Sequence, residues 1–326
     1  MNKYKRYLEN LHSKSITSNE IINSVIEEAT GFKVKRKKKI IAGEINEVYD
    51  IFLENEENII VRITKGDSIQ HKREAWAFKK CKGVGGIPIP ELLFIKEVVD
   101  KNHILSFCVQ RKLLGNTIKG GKIVFDKFNR NRQERIIYKA GEILSKIHTI
   151  KTKGFGYIDK DGMGSHPSYS QLMSEYVKDF DKYLDLAINI GMPWKSMEKI
   201  FDILIKKEKT SPKLTPILSH NDYTLNHIMI NDKDEITGII DWGEIKGHSP
   251  VNDFAKWSFW VEEVPVEWLQ RGYINKRIFD EEYEDMVHWS RLNIGLGALS
   301  WYYARRYKSG IKEVLKKLLR DLEYYG

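Results

Sequence analysis

The spacing of apolar residues along the chain changes character twice. Thr17 and Glu20 stand at capping-box spacing, and Ile21, Ile22, Val25 and Ile26 follow at helical intervals, which predicts a helix ending at Gly31. Between residues 38 and 64 the period shortens. Val48 to Leu53 and Asn58 to Thr64 read as two strands around a polar Glu54-Asn55-Glu56-Glu57 turn. A charged helix carrying Glu74, Ala75, Ala77 and Phe78 comes next and stops near Gly83-Val84-Gly85-Gly86. Ile87-Pro88-Ile89-Pro90 is a rigid connector, and further strands are expected near Leu92 to Val98 and Ile104 to Gln110.

Beyond Gly115 the period is helical. Ile136, Ala140, Ile143, Leu144, Ile147 and His148 mark one helix, with His148 read as a core histidine. Leu172, Tyr176, Phe180, Tyr183 and Leu184 mark another, and Met197 to Ile205 a third. Short β-branched runs, Ile228 to Ile230 and Ile236 to Ile240, interrupt before helical signals resume and close with Ile311 to Tyr325. There is no internal repeat and no low-complexity linker. The pattern predicts an α+β protein in which a β-rich N-terminal lobe, 1–113, joins a larger helical lobe, 114–326.

Composition narrows the class. A 326-residue chain with 41% hydrophobic residues, 16 Tyr, 13 Phe and 8 Trp is globular rather than disordered. The longest uncharged apolar stretch near a helix, Leu292 to Ala304, is shorter than the roughly 20 residues a membrane span needs. Met1-Asn2-Lys3-Tyr4-Lys5-Arg6 has no apolar run behind it, so no secretory signal and no membrane partner are expected, and a cytoplasmic location is. Cys81 and Cys108 have neither zinc spacing nor a disulfide framework and read as buried small side chains. The net charge of +9 permits attraction to nucleic acid. Its densest run, Lys33, Lys35, Arg36, Lys37, Lys38 and Lys39, leads into Ile40 and Ile41 without aromatic interleaving. It reads as a solvated edge leading into a strand, and no nucleic-acid partner is expected.

Reactive side chains are densest from Ser219 to Ile230, and Asp241 follows Asp222 by nineteen residues. Each aspartate adjoins a short predicted strand, so the two can converge. Phosphoryl transfer to a hydroxyl needs such a pair. One carboxylate orients the hydroxyl and accepts its proton, and another holds Mg²⁺ against nucleotide phosphates. The glycine-containing run from Gly115 to Lys122 is no phosphate loop: its spacing is off by one, and Ile123 stands where a hydroxyl would hold Mg²⁺.

His220-x-Asp222-x-x-x-x-His227, Ile240-Asp241-Trp242 and Ser249-Pro250-Val251-Asn252-Asp253-Phe254-Ala255 occur in that order. They resemble the catalytic loop, the metal-binding segment and the following Asp-Pro-x-x-Asp-Leu-Ala of the aminoglycoside phosphotransferase family. These are antibiotic kinases with a bilobal, protein-kinase-like fold. Ala42 to Tyr49, with Gly43 and Asn46, is similar to the family's nucleotide-covering loop, whose backbone amides can reach phosphate oxygens. Arg62 in Val61-Arg62-Ile63 stands in the place of the phosphate-binding lysine, and Glu74 matches its glutamate partner. Val109 to Gly115, with Gln110 and Leu113, resembles the hinge between the lobes.

The resemblance spans roughly residues 38 to 310. It implies a Mg²⁺-dependent kinase using ATP or GTP, a monomer or weak dimer. Asp222 would position and deprotonate the hydroxyl, Asp241 would bind metal with His227 as second ligand, and His220 and Asp253 would support the loop. Two positions depart from the pattern. Arg62 replaces lysine, keeping the charge and a two-donor grip on phosphate. Lys65, the reserve, sits on the opposite strand face. His227 replaces asparagine, and an imidazole nitrogen is a poorer partner for a hard cation, so it can ligate the metal, orient Asp222 or weaken a metal site.

Macrolide phosphotransferases look similar at His227. Ile87-Pro88-Ile89-Pro90-Glu91, Gly154-Phe155-Gly156, Ile240 to Glu244 and Asn293-Ile294-Gly295-Leu296 look more like hygromycin B phosphotransferases. Between residues 261 and 285, eight acids face three bases, a balance that suits a polycationic aminoglycoside. Glu244, Glu262, Glu263 and Trp257 are therefore acceptor-binding candidates. A macrolide would prefer an apolar cleft, for which Trp257, Phe259, Trp260 and Trp268 are available. The expected activity is phosphorylation of a hygromycin-like aminoglycoside, conferring resistance. The alternatives are a macrolide 2′-phosphotransferase, a choline-like metabolic kinase and a nucleotide-binding pseudoenzyme.

Overall fold

The computed structural model describes residues 3–13, 17–41, 43–119, 125–210 and 214–326. Ala42, at the head of the expected nucleotide-covering loop, and residues 120–124, from the end of the glycine-containing run onward, lie outside them. Two helices open the chain, α1 (Lys3–His12) and α2 (Asn19–Thr30). The N-cap of α2 is Ser18, one residue later than the capping box predicts: its hydroxyl accepts from the Ile21 amide at 3.3 Å. Thr17 is drawn away to Glu47, donating to its carboxylate at 3.0 Å. The expected stop holds, with Gly31 at φ 76°, where a residue without Cβ carries no steric penalty.

Five antiparallel strands follow: β1 (Val34–Ile40), β2 (Glu47–Leu53), β3 (Asn58–Lys65), β4 (Leu92–Asp100) and β5 (His103–Arg111), in the order β1-β2-β3-β5-β4. The basic run is not a lead-in but the edge strand itself, paired with β2 from Val34↔Leu53 to Ile40↔Val48 with a shift of register between Val34 and Arg36. Lys35 and Arg36 lie over the Phe52 ring at 5.4 and 5.7 Å, and Lys37 and Lys39 over Tyr49 at 5.6 and 5.8 Å. Their stems cover the aromatics while the charges discourage another chain from pairing with the edge. One sheet face, including Ile51, Leu53, Ile59, Val61, Phe107 and Val109, forms a core with Ile22, Val25 and Ile26 of α2.

Between β3 and β4 runs α3 (Ile69–Val84). Its Ala77, Phe78 and Cys81 belong to the core of the helical lobe, not to the sheet's. This helix therefore couples the two lobes. The helical lobe comprises β6 (Asn116–Thr117), α4 (Arg130–Ile147), β7 (Phe155–Ile158), β8 (Gly164–His166), α5 (Tyr169–Val177), α6 (Phe180–Ile190), α7 (Trp194–Thr210), β9 (Ile217–Ser219), β10 (Ile228–Ile230), β11 (Ile236–Ile239), β12 (Lys246–His248), α8 (Val251–Trp260), α9 (Val266–Gly272), α10 (Tyr283–Ala304) and α11 (Lys308–Glu323). The single helix expected across Leu172 to Leu184 is two, because a turn at Lys178-Asp179 sets Phe180 edge-on to Phe201 at 4.8 Å.

Two small sheets, β11-β10-β6 and β8-β7-β12-β9, set the reactive segments. β9 ends at Ser219, just before His220. The β10–β11 hairpin pairs Ile228 with Ile239, so His227 and Ile240 become neighbours, with the Ile240 amide donating to the His227 carbonyl at 2.9 Å. The architecture is the expected α+β, kinase-like one, a β-rich N-terminal region on a helical C-terminal region. Among the described residues no helix is long and apolar enough to cross a membrane.

Candidate active site

Asp222, His227 and Asp241, from the catalytic-loop and metal-segment motifs, converge. The His227 Nδ1–H donates to the Asp222 carbonyl at 2.7 Å, which turns Nε2 toward Asp241, 3.5 Å from Oδ2. Nδ1 is also 3.4 Å from Asp222 Oδ2. One ligand atom from each of the three lies within 4.8 Å of the others. The Asp222 and Asp241 side chains are 35% and 44% exposed, open to a ligand, whereas His227 lies beneath them at 18%.

Burial opposes protonation of His227, but the charges of Asp222 and Asp241 outweigh it and raise its pKa. Burial would raise the Asp241 pKa, yet His227 and Arg62 hold it below the usual carboxylate range. With Nδ1–H committed to a carbonyl, Nε2 presents either a proton to Asp241 or a lone pair to a shared cation. Two carboxylates and one imidazole fit a divalent cation, and the oxygens suit Mg²⁺ better than the nitrogen does.

The loop is braced from below by Asp253. Its carboxylate accepts from the Asn221 amide at 2.7 Å and the His220 amide at 3.1 Å, and it meets His148 Nε2 at 2.8 Å. His148 is buried on the helical stripe as expected, and its Nδ1 lies 2.9 Å from the Tyr273 hydroxyl. The His220 ring makes no hydrogen bond among the described residues. It packs edge-on against Trp242 at 4.7 Å, and burial lowers its pKa. It is an apolar wedge, and its backbone rather than its ring is what the brace holds.

Sequence reasoning passed over Asn221 and Asn252. Asn221 has φ 59°, a left-handed conformation that asparagine tolerates better than most residues. It stands where the family's His-Gly-Asp pattern has glycine, and that replacement was the available signal. Its Nδ2 donates to the Glu244 carbonyl at 3.0 Å, and its Oδ1 accepts from Asn252 Nδ2 at 3.0 Å. Asn252 also donates to the Ser219 hydroxyl at 3.1 Å.

Arg62 lies at the back of the cleft. Its Nη1 donates to Glu74 at 2.5 Å, and Nη2 lies 3.4 Å from Asp241. The expected pair between β3 and α3 is thus formed, and it reaches the metal segment as well. α3 touches that segment directly, since Arg73 Nη1 donates to the Gly243 carbonyl at 3.3 Å. Lys65 points elsewhere, into a cavity with Glu44, Trp301 and Arg305. Gly43 has φ 75°, and Asn46 accepts from the Thr64 hydroxyl. The tip between them is tethered, because Glu44 accepts from Trp301 Nε1 at 2.6 Å and from the Tyr7 hydroxyl at 3.2 Å. Gln110 is buried within β5, its side chain donating to Cys108 Sγ at 3.3 Å, and Leu113 lies against Gly238 of β11. Leu113 therefore stands between the lobes, whereas the Gln110 side chain is turned into the sheet.

The acceptor candidates separate. Glu244 is near Asp222 through Asn221, and its carboxylate accepts from the Tyr157 hydroxyl at 2.6 Å. Glu262 is held by Arg320 at 2.7 Å and Lys317 at 3.4 Å, and Glu263 pairs with Lys119. Asp285 pairs with Lys207, and Glu284 and Asp285 occupy the first turn of α10, where the helix dipole favours acids. Much of the acidic balance is thus answered inside the chain. Trp257 is fully buried beside Tyr223, Phe259 is fully buried and Trp268 nearly so, and these three form core instead of an apolar cleft, while Trp260 is half-buried and edge-on to Phe259 at 4.8 Å.

A sequence model of the phosphotransferase enzyme family matches residues 38–284. No curated protein sequence matches the chain significantly. Among solved structures, the apo form of a thermostable mutant of aminoglycoside phosphotransferase APH(4)-Ia superposes with a TM-score of 0.76 at 17% identity, over 93% of this chain and 99% of that one. A putative fructosamine-3-kinase from Thermobifida fusca YX-ER1 has a TM-score of 0.65 at 13% identity, over 93% and 100%. The GDP and kanamycin complex of APH(2")-IIia has 0.64 at 15%, over 92% and 98%. At these identities the likeness is one of fold.

Proposed function

The chain belongs to the phosphotransferase enzyme family, and we propose that it moves the γ-phosphate of ATP or GTP to a hydroxyl of a small molecule. The convergence of Asp222, His227 and Asp241 beside the Arg62–Glu74 pair carries this reading. The nucleotide would lie between the lobes, 1–113 and 114–326, with its base near Leu113 and the 43–46 turn over its phosphates. Arg62, fixed by Glu74, neutralises phosphate charge. Asp222 orients the acceptor hydroxyl and takes its proton as the oxygen attacks phosphorus. Asp241 and His227 would hold Mg²⁺, which supplies charge neutralisation on the phosphates. Positioning and electrostatics suffice, and no covalent enzyme intermediate is needed.

The hygromycin-like aminoglycoside expected as acceptor retains Glu244 at the site and loses Glu262 and Glu263 to internal ion pairs. The macrolide alternative keeps only Trp260 of its apolar wall, since Trp257, Phe259 and Trp268 are core. The test is incubation with Mg²⁺, ATP or GTP, and a panel of aminoglycosides, macrolides, choline and hydroxylated metabolites, read as a mass gain of about 80 Da per phosphate. Asp222→Ala is expected to abolish the gain while leaving nucleotide affinity within about threefold. Equal turnover by Asp222→Ala would sink the assignment of the base, and absence of nucleotide binding by the wild type would sink the kinase reading.

A further inference from the structure

Two lysines beside Asp222 have no part in the chemistry above. Lys246 lies on β12, paired with Ser219, which leads into the His220-Asn221-Asp222 turn. Its ammonium rests 4.4 Å from the centre of the Tyr157 ring. Lys256 lies on α8, one turn beyond Asn252 and Asp253, whose side chains hold Ser219 and the His220 and Asn221 amides. Residues three and four apart share a helix face, so Lys256 faces the same loop.

Both lysines are half-buried, and neither forms an ion pair or hydrogen bond among the described residues. Arg73 lies over the same Tyr157 ring at 5.0 Å. Against these cations stands Glu244, already accepting from Tyr157. Burial lowers both ammonium pKa values, helped by Arg73 at Lys246 and by Lys246 at Lys256, while Glu244 at both, and Asp222 and Asp253 at Lys256, act in the opposite sense. Two ammonium groups held close enough to repel each other, with no acid in contact among the described residues, leave a place where a bound anion would relieve the repulsion.

We propose that Lys246 and Lys256, with Tyr157 as a wall, form an oxyanion subsite for the acceptor, which therefore carries a carboxylate or phosphate besides the hydroxyl received by Asp222. The inference rests on the kinase reading and replaces a polycationic acceptor with an anionic one. In the transfer the acceptor O–H gives its proton to Asp222 as the new O–P bond forms. The bond from the γ-phosphorus to its bridging oxygen breaks, and that electron pair leaves with the nucleoside diphosphate. The lysines hold the far end of the acceptor.

The test is calorimetric titration of the full chain, saturated with Mg²⁺ and AMP-PNP, with D-gluconate, glucose 6-phosphate, D-glucose and hygromycin B. Nucleotide binding is measured first, and its failure would remove the kinase reading itself. Given nucleotide binding, gluconate or glucose 6-phosphate is expected to bind at least about tenfold more tightly than glucose or hygromycin B. Lys256→Met and Lys246→Gln are each expected to weaken that oxyanion about tenfold and leave AMP-PNP within about threefold. The proposal is overturned by absence of oxyanion binding up to about 10 mM, by preference for hygromycin B, or by lysine variants that leave oxyanion affinity intact. Loss of AMP-PNP affinity in the lysine variants overturns it too, assigning these lysines to the donor phosphates.

Discussion

Removing Glu74 separates what the Arg62–Glu74 pair does for the fold from what it does for chemistry. Arg62 is 8% exposed and Glu74 1%, and their contact at 2.5 Å is the nearest that Arg62 makes to an acid. Burial alone would raise the Glu74 pKa, but the Arg62 charge holds it below the ordinary carboxylate range. In Glu74→Leu the guanidinium stays buried with, among the described residues, only Asp241, at 3.4 Å and 44% exposed, to answer it. Breaking a buried pair by deleting one partner costs about 3–5 kcal/mol, and the remaining aspartate sets the expectation at the lower end, about 3 kcal/mol. Replacing both partners by apolar residues of similar volume is often neutral, so Arg62→Met/Glu74→Leu should regain most of that loss.

The assay is urea unfolding followed by tryptophan fluorescence, with comparison of midpoints valid where the slopes agree. Activity should not follow stability. The double variant has no cation at the back of the cleft, and loss of a charge-assisted grip on phosphate of about 1.5–3 kcal/mol lowers kcat/KM for nucleotide about 10- to 100-fold. A single variant costing less than about 1 kcal/mol would refute the electrostatic account of the pair. A stable double variant with wild-type kcat/KM would refute the placement of Arg62 on the phosphates.

Three further outcomes follow from the same geometry. His227→Asn, which puts an amide oxygen where the imidazole stands, should keep turnover at lower Mg²⁺ than His227→Ala, read from Mg²⁺ titrations of rate; equal Mg²⁺ dependence in the two variants would exclude His227 from the metal site. Burial would raise the Asp253 pKa, but the hydrogen bond and charge of His148 lower it, so its contribution to stability is present above the unfolded value of about 3.9 and is lost as pH falls below it. Asp253→Asn should therefore unfold with a shallower pH dependence below about pH 4, measured by midpoints across that range, and an unchanged slope would contradict this. Burial pushes the Cys81 and Cys108 thiols up to about 12, so native protein should resist alkylation at about pH 8 and react only once unfolded, as mass spectrometry after brief iodoacetamide exposure would show.

The elements that were legible in the sequence are those whose apolar spacing is undisturbed. α2, β2, β3, β5 and α4 fall within a few residues of where periodicity puts them. β1 was hidden because five of its seven residues are Lys or Arg, and an edge strand needs few apolar positions to hold its place. The two-residue β6 and three-residue β8, β9 and β12 were hidden for another reason. Segments so short have no period, and for all but β8 the pairing partners are distant in sequence, as Lys246 is from Tyr157. The same holds for the lobe assignment of α3. Its sequence lies between two strands of the sheet, yet Ala77, Phe78 and Cys81 pack into the other core.

At the site, motif order found the groups that meet, because Asp222, His227 and Asp241 are separated only by a short hairpin that folds back on itself. Counting charge along the chain did not show which acids are answered inside the fold. Glu262 and Glu263 are neighbours in sequence, but one turns to α11 and the other to Lys119. Linear charge density weighs an acid already answered by a lysine as heavily as one open to a ligand. The lysines show the converse. Lys246 and Lys256 lie in segments with no basic excess, yet β12 and α8 set them beside the same catalytic turn with no acid in contact among the described residues. Which charges stand near Asp222 is therefore a property of tertiary pairing rather than of charge density along the chain.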